Sequence, residues 1–447
     1  MLVRIALRWT LVLVCGMGGV APVWAGAFNA QTFDLANGMK VVLIPDHRVP
    51  VATHMLWYRV GSADEEPGKS GLAHFFEHLM FKGTKDNPGD AYARAIGRIG
   101  GNLNAFTSYD YTAYYATVGS DNLERVMALE SDRMVNLDLS EEHVQLERQV
   151  IIEERRLRTD NDPEALLNEQ VMAALFLNHR YGVPVIGWMH EIRSWTRDDA
   201  LAFYRRWYVP NNAILVVAGD VQLDRLRSLA ERYYGPLKPM PVTRKRATEP
   251  DPIAERRVVM IDSRVGRPFC TRLYLSPAYG SPGRERAPAI EVLAHVLGGD
   301  RTSLLYRRLV RDLRVAADVS VEYSPSALDL TPFSIVAVPA PGTTLPALER
   351  AMDAEIEALS DDAIQEADVR RARDALRATG LRARDGTHRA AMIVGMELTT
   401  GATLDEIEAW PERIGAVTLD QVRREAGALL RPEASVTGML TSRREGS

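Results

Sequence analysis

Residues 212–219, NAILVVAG, are apolar almost without a break, the pattern of a strand buried on both faces. Residues 104–118, NAFTSYDYTAYYATV, tend instead to alternate, as strands with one solvated face do. Two shorter strand-like runs, FDLANGMKVVLIPD and ATHMLWYRVGSADE, precede them. A helical period takes over in residues 71–84, 122–138 and 141–159. After a break the order returns. RRVVMIDS and CTRLYLSPAYGS read as strands, APAIEVLAHVLGGD as a helix, DVSVEYS and FSIVAVPA as strands, and residues 345–381 and 419–430 as helices. Two stretches that open alike predict a duplicated α+β domain, each copy a mainly antiparallel sheet with helices packed on one face.

The break is compositional. Residues 236–252 hold Pro236, Pro239, Pro241, Pro250 and Pro252 and no apolar period, which reads as a linker. It divides the chain into residues 26–235 and 253–447.

The first 25 residues belong to neither part. Arg4 and Arg8 stand at the start without an acid, residues 9–21 are mostly apolar, and Val23-Trp24-Ala25 ends on a small residue. This is the pattern of a secretory signal peptide cleaved after Ala25, and its apolar run is short of the ~20 residues a membrane span needs. Cys15 lies inside it after Val14, which does not fit a lipoprotein signal. Export without the leader leaves Cys270 alone, so no internal disulfide can form. The expected location is the periplasm. A formal net charge of −5, with no long basic run interleaved with aromatics, speaks against nucleic acid as a partner.

Candidate chemistry concentrates in residues 71–84, GLAHFFEHLMFKGT. At about 100° per residue, His74 and His78 share one helix face, Glu77 lies on its flank, and Gly83 is a fitting stop. Two imidazoles at this spacing can clamp zinc, and a nearby carboxylate that is not a ligand can take a proton from water. A solvated His-Glu-His stripe would look the same, so a third ligand is required. Residues 141–163, EEHVQLERQVIIEERRLRTDNDP, read as one long amphipathic helix with Leu146, Val150, Ile151 and Leu157 as its apolar set. Glu147 and Glu154 are seven apart and point along the same face near Val150 and Ile151, whereas Glu153 points about 100° away. A carboxylate beside a core-facing stripe is costly unless paired or metal-bound. That favours Glu154 as ligand with Glu147 behind it, although most charges of such a helix are simply exposed and salt-bridged.

With these residues in view, the sequence resembles the pitrilysin/insulinase metallopeptidases. Their motif is H-x-x-E-H followed by a ligand glutamate about 76 residues after the second histidine, the spacing of Glu154 from His78. The segments GGNLNAFTSYDYTAYY, ERQVIIEERR, YGVPVIGW and YVPNNAILVVAGDV match too, and the length suggests the short subfamily that includes mitochondrial processing peptidase and its bacterial relatives. The resemblance implies Zn2+ held by His74, His78 and Glu154, Glu77 as general base and Glu147 as a supporting residue. It also implies that Asn104 and Ala105 form a strand edge holding the substrate backbone by β-augmentation, with Phe106 lining the cleft there. Phe106 reads equally well as an ordinary strand residue.

One departure bears on assembly. Active members carry an Arg and, seven residues later, a Tyr in the second domain. In SLLYRRLVRDLRVAADV, residues 303–319, Val310 and Ala317 stand there. Because such a pair helps hold substrate and the tetrahedral intermediate, the expectation is a heterodimer in which a homologous subunit supplies it. The rival reading is a non-catalytic assembly or scaffold subunit, which predicts decay of the zinc motif.

Overall fold

The computed structural model describes residues 27–359, 363–382 and 385–442. The expected signal peptide lies outside the described residues.

Six strands build the first sheet: β1 (Gln31–Asp34), β2 (Lys40–Pro45), β3 (Val51–Tyr58), β4 (Asn102–Thr107), β5 (Thr112–Gly119) and β6 (Ala213–Gly219). Their order is β1-β2-β6-β3-β5-β4. The uninterrupted apolar run of β6 sits inside this sheet, parallel to β2 and antiparallel to β3, and all seven of its residues are buried. The second sheet holds β7 (Arg256–Ile261), β8 (Phe269–Ser276), β9 (Ala316–Tyr323), β10 (Thr331–Pro339) and β11 (Ser435–Thr441), ordered β7-β11-β8-β10-β9. There β11 is likewise parallel to β7 and antiparallel to β8. The repeated opening read from the sequence is therefore a repeated sheet topology, and the α+β expectation holds.

Each sheet packs its own helices on one face. On the first, Leu72–Leu79, Leu123–Asn136, Glu141–Arg155, Arg197–Trp207 and Leu223–Tyr233 enclose a core that includes Leu56, Phe76, Met127, Ile151 and Trp207. On the second, Ala287–Gly298, Leu345–Glu357, Glu366–Arg382 and Leu419–Leu429 enclose another around Leu293, Phe333, Met352 and Val422.

The opposite faces are closed by exchange. Helix Thr387–Thr399, from the second half, lies on β3 and β6 of the first sheet, with Ala391 and Val394 against Trp57 and Val216. Helix Pro163–Leu175, from the first half, lies on β7 and β11 of the second sheet, with Leu167 and Val171 against Leu273 and Val436. Neither crossing was legible in the residue pattern.

Residues 234–255 form no helix or strand, as the proline content requires. They are nevertheless pinned. Arg244 donates through Nε and Nη2 to the two oxygens of Asp64 at 2.9 and 2.7 Å, and Arg246 Nη2 donates to Asp110 at 2.7 Å. Arg246 Nη1 also lies 3.4 Å from Asp329 in the second half, so the stretch ties both halves together rather than hanging between them.

Helix Thr387–Thr399 can approach Trp57 because Gly395 carries no side chain there. A Cβ at Gly395 would fall 2.1 Å from the buried indole. Gly395→Ala should therefore destabilise the protein by about 1–3 kcal/mol, the usual cost of overpacking, even though Ala favours helix by about 1 kcal/mol. Chemical denaturation of both proteins measures it, and an equal or higher midpoint would mean the helix does not sit where described.

Candidate metal centre

The helix that carries the histidines begins at a turn only glycine fits. Gly71 has φ of +83°, and a Cβ on it would lie 2.3 Å from the Ile186 carbonyl oxygen. The helix's first orphan N–H groups are met by Glu65, whose buried carboxylate accepts from Gly71 N at 2.9 Å and Ala73 N at 2.8 Å. Phe75 then stacks on Trp195 at 4.6 Å and Phe76 on Tyr204 at 5.3 Å. With those rings committed to the core, His74, Glu77 and His78 face the other way. The α-helix ends at Leu79 and a 3-10 turn, Met80–Lys82, leads to Gly83, which leaves the helix with φ of +90° as expected of a stop.

Helix Glu141–Arg155 lies across this one and brings Glu154 to it. Glu154 Oε2 is 3.7 Å from His74 Nε2 and 3.5 Å from His78 Nε2. The three residues form a group whose ligand atoms all lie within 4.8 Å of one another. Tetrahedral ligands at about 2.0–2.2 Å from zinc stand roughly 3.3–3.5 Å apart, so Glu154 Oε2 lies within a few tenths of an ångström of the required spacing from each imidazole. Glu154 Oε2 is out of solvent and has no hydrogen-bond partner. An orphaned carboxylate oxygen between two imidazole nitrogens is what a bound cation would satisfy, so these residues fit a zinc ion. Glu153 points outward to an ion pair with Arg156, with 59 % of its side chain exposed, as the helical register requires.

Glu147 stands behind His78. Its Oε1 lies 2.8 Å from His78 Nδ1, and its other oxygen meets Lys82. Burial alone would raise the Glu147 carboxyl, but the bonds from His78 and Lys82 outweigh it and hold it below the ordinary value. Burial likewise pulls His78 down, and Glu147 more than offsets this, so His78 is raised. For Glu77 burial wins: its carboxyl is lifted above the usual range, against a 2.5 Å hydrogen bond donated by Thr107.

Thr107 ends β4, the outermost strand of its sheet, which among the described residues pairs only with β5. The cleft between β4 and helix Glu141–Arg155 has a volume of ≈ 860 Å³, and Asn104, Ala105, Phe106, Val150 and Leu157 line it together with the metal-site residues. The structure thus brings His74, Glu77, His78, Asn104, Ala105, Phe106 and Glu154 to one cleft, with Glu147 behind His78. Asn104 is exposed, and its Oδ1 accepts from Ala105 N at 2.9 Å. Phe106 reaches the cleft but also packs edge-on against Trp57 at 5.3 Å.

The apolar set assigned to helix 141–159 needs correction. Ile151 is fully buried, but Leu146, Val150 and Leu157 are 60 %, 47 % and 73 % exposed. The inward face carries Val144, Glu147, Ile151, Ile152 and Arg155. Period alone shows that a helix has an apolar stripe and not whether that stripe meets a core or a cleft. The α-helix also stops at Arg155 and widens into a π-turn, Arg156–Asp160. Thr107, Lys82, Glu65 and Arg158, which ion-pairs with Glu154 Oε1 at 2.8 Å, were missed. Only the spacing of Lys82 from His78, one helical turn, hinted at any of them.

Burial holds His74 down to about 3, with the neighbouring His78 and Arg158 adding to it. An unfolded histidine takes its proton near pH 6.5. In metal-free protein this residue's contribution to stability is whole above pH 6.5 and is lost as pH falls toward 3, because acid then favours the unfolded chain. Imidazole NMR of the chelator-treated protein should find His74 neutral at pH 5. A His74 titrating near 6.5 would contradict the burial described.

Known proteins resemble this chain along most of its length. The family model described as insulinase (peptidase family M16) matches residues 40–187, and the M16 inactive-domain model matches residues 194–376. The zinc protease PqqE of Helicobacter pylori is 31 % identical over 370 residues, covering 79 % of this chain and 82 % of that one. The crystal structure of a protease from Helicobacter pylori superposes with a TM-score of 0.85 at 28 % identity, over 92 % of this chain and 99 % of that one. The periplasmic protease PqqL of Escherichia coli shares the fold at a TM-score of 0.79 and 20 % identity, over 93 % of this chain and 48 % of that one. This chain belongs to the insulinase, or M16, family of zinc proteases, and zinc is its cofactor.

Proposed function

We propose that this chain is the zinc-carrying subunit of a periplasmic endopeptidase that hydrolyses peptides or unfolded segments, completed by a homologous partner. The observation that carries the reading is the convergence of His74 Nε2, His78 Nε2 and the orphaned Glu154 Oε2 on one wall of a cleft whose other wall is an unpaired strand edge. His74, His78 and Glu154 would hold the zinc. When bound, zinc supplies Lewis acidity that polarises a carbonyl and lowers the pKa of water.

The other roles belong to the chain's own side chains. Glu77 is the general base, held by Thr107 through Oε2, while no described residue hydrogen-bonds its other oxygen. Burial raises the carboxyl's proton affinity, which suits a group that must accept a proton and return it. Glu147 fixes the ring of His78 through Nδ1, the arrangement by which a carboxylate orients a metal-binding imidazole. Asn104 and Ala105 offer the free edge of β4 to an extended substrate backbone, with Phe106 beside them. Exposed Val150 and Leu157 suit the apolar side chains of an unfolded segment.

Export rests on the leader pattern of residues 1–25. The partner rests on Val310, which packs against the second core, and Ala317, exposed on β9, standing where the Arg and Tyr of active relatives would be. A scaffold subunit without activity would have no need of three converging metal donors, so that reading ranks below.

Substitutions separate the roles. Glu77→Gln should keep zinc and lose peptidase activity. Glu154→Gln should lose zinc, Glu153→Gln should keep it, and Glu147→Gln should fall between, at about 10–100-fold in affinity or activity. Zinc analysis alongside a quenched-peptide assay checks all four, and metal content that tracks Glu153 would overturn the assignment.

The purified chain alone should turn over peptide slowly. Loss of one transition-state donor costs about 10²–10³ in rate, and a homodimer supplies neither missing group. Full turnover without a partner would sink the heterodimer while leaving the zinc assignments in place.

A further inference from the structure

We infer that Arg158 is a positioning residue that limits Glu154 to one oxygen at the metal, keeping a position open for substrate. This rests on the zinc reading above. A carboxylate has two oxygens and can chelate with both, whereas a catalytic zinc site keeps three protein ligands and one open position. In this chain the two oxygens of Glu154 are treated differently. Oε2 faces the two imidazole nitrogens without a hydrogen-bond partner, and Oε1 forms an ion pair with Arg158 Nη1 at 2.8 Å.

An ordinary surface pair four residues apart on a helix has both partners in solvent. Here Glu154 has 15 % of its side chain exposed and Arg158 has 74 %. The guanidinium reaches inward, and it is the one cation lining the cleft among the described residues. The backbone that carries it is not an ordinary helix either. Asn161 N donates to Arg156 O at 2.9 Å, five residues back, and such wide turns recur at functional sites. The turn is anchored by its neighbour Arg155, which is 5 % exposed and donates to Glu169 at 2.9 Å and to the Gly187 carbonyl at 2.7 Å. Arg158 therefore stands on a fixed platform, and no other described group bonds Glu154 Oε1.

The test uses the full chain with cobalt(II) in place of zinc, beside the zinc-loaded protein. Arg158→Met keeps the stem and removes the donors, Arg158→Lys keeps one charge and some donors, and Arg156→Met is the control on the adjacent exposed pair. Arg158→Met should bind one cobalt but lose visible absorption intensity, as coordination rises from four to five. With zinc its kcat should fall about 10–100-fold at unchanged KM. Arg158→Lys should recover part of both, and Arg156→Met should match the parent.

The spectrum decides. An Arg158→Met spectrum equal to the parent's, or an equal change in Arg156→Met, overturns the inference whatever the rates do. A parent protein that binds cobalt with a four-coordinate spectrum yet lacks even the slow peptide turnover expected of the chain alone would defeat the peptidase reading and leave the role of Arg158 standing.

Discussion

A sheet has two faces, and in this protein each sheet can bury only one of them against helices of its own half. Closing the second face with a helix from the other half is the constraint on which the rest depends. Leu167, Val171 and Leu175 cover the second sheet, and Ala390, Val394 and Leu398 cover the first. Each buried Leu or Val contributes about 1.5–3 kcal/mol relative to exposure, so neither half is complete without the other. The exchange also reaches the metal site. Helix Pro163–Leu175 follows Glu154 by a single wide turn, and Arg155 ties that turn back to Glu169 on the same helix. Glu154 is held where it is because the next element is docked on the opposite sheet.

Gathering Glu77, Glu147 and Glu154 around two imidazoles out of bulk water is unfavourable unless each charge has a partner. Thr107 serves Glu77, Lys82 and His78 serve Glu147, and Arg158 serves one oxygen of Glu154. Apart from His78 in its helix, these partners come from a strand end, a 3-10 turn and a π-turn, where the backbone leaves regular geometry and can aim a side chain. Among the described residues, Glu154 Oε2 and His74 Nδ1 are the buried polar atoms of the site left without a hydrogen-bond partner, and the first of them lies between the two imidazoles.

How much of this was legible in the sequence follows from what a pattern encodes. The helix face of His74 and His78, the inward register of Glu147 and Glu154, and the buried run of β6 depend on fixed periods, and all appear where the periods put them. The exposed Val150 and Leu157 were misread because a cleft and a core both select apolar side chains at helical spacing, and nothing in the structure explains the exposed Leu146. Residues 236–252 read as a tether since proline excludes regular structure, yet the arginines among the prolines pair with Asp64 and Asp110. Those contacts are set by tertiary folding, as is the docking of Gly395 on Trp57. No local rule places residues that distant side by side.

The repeat shows why chemistry resides in one half only. Helix Ala287–Gly298 follows β8 as Leu72–Leu79 follows β3, and Gly299 stands near its end as Gly83 does in the first half. Along that helix Ile290, Leu293, Ala294 and Leu297 are buried in the second core. Among the described residues no group of three metal-binding side chains forms on it. A helix in this position is equally well held by apolar packing, so the fold does not demand a metal. The histidines of the first half are therefore not explained by stability. They occupy a face that could have been apolar, beside a strand edge left unpaired, and on this pair of departures the proposed zinc and substrate roles rest.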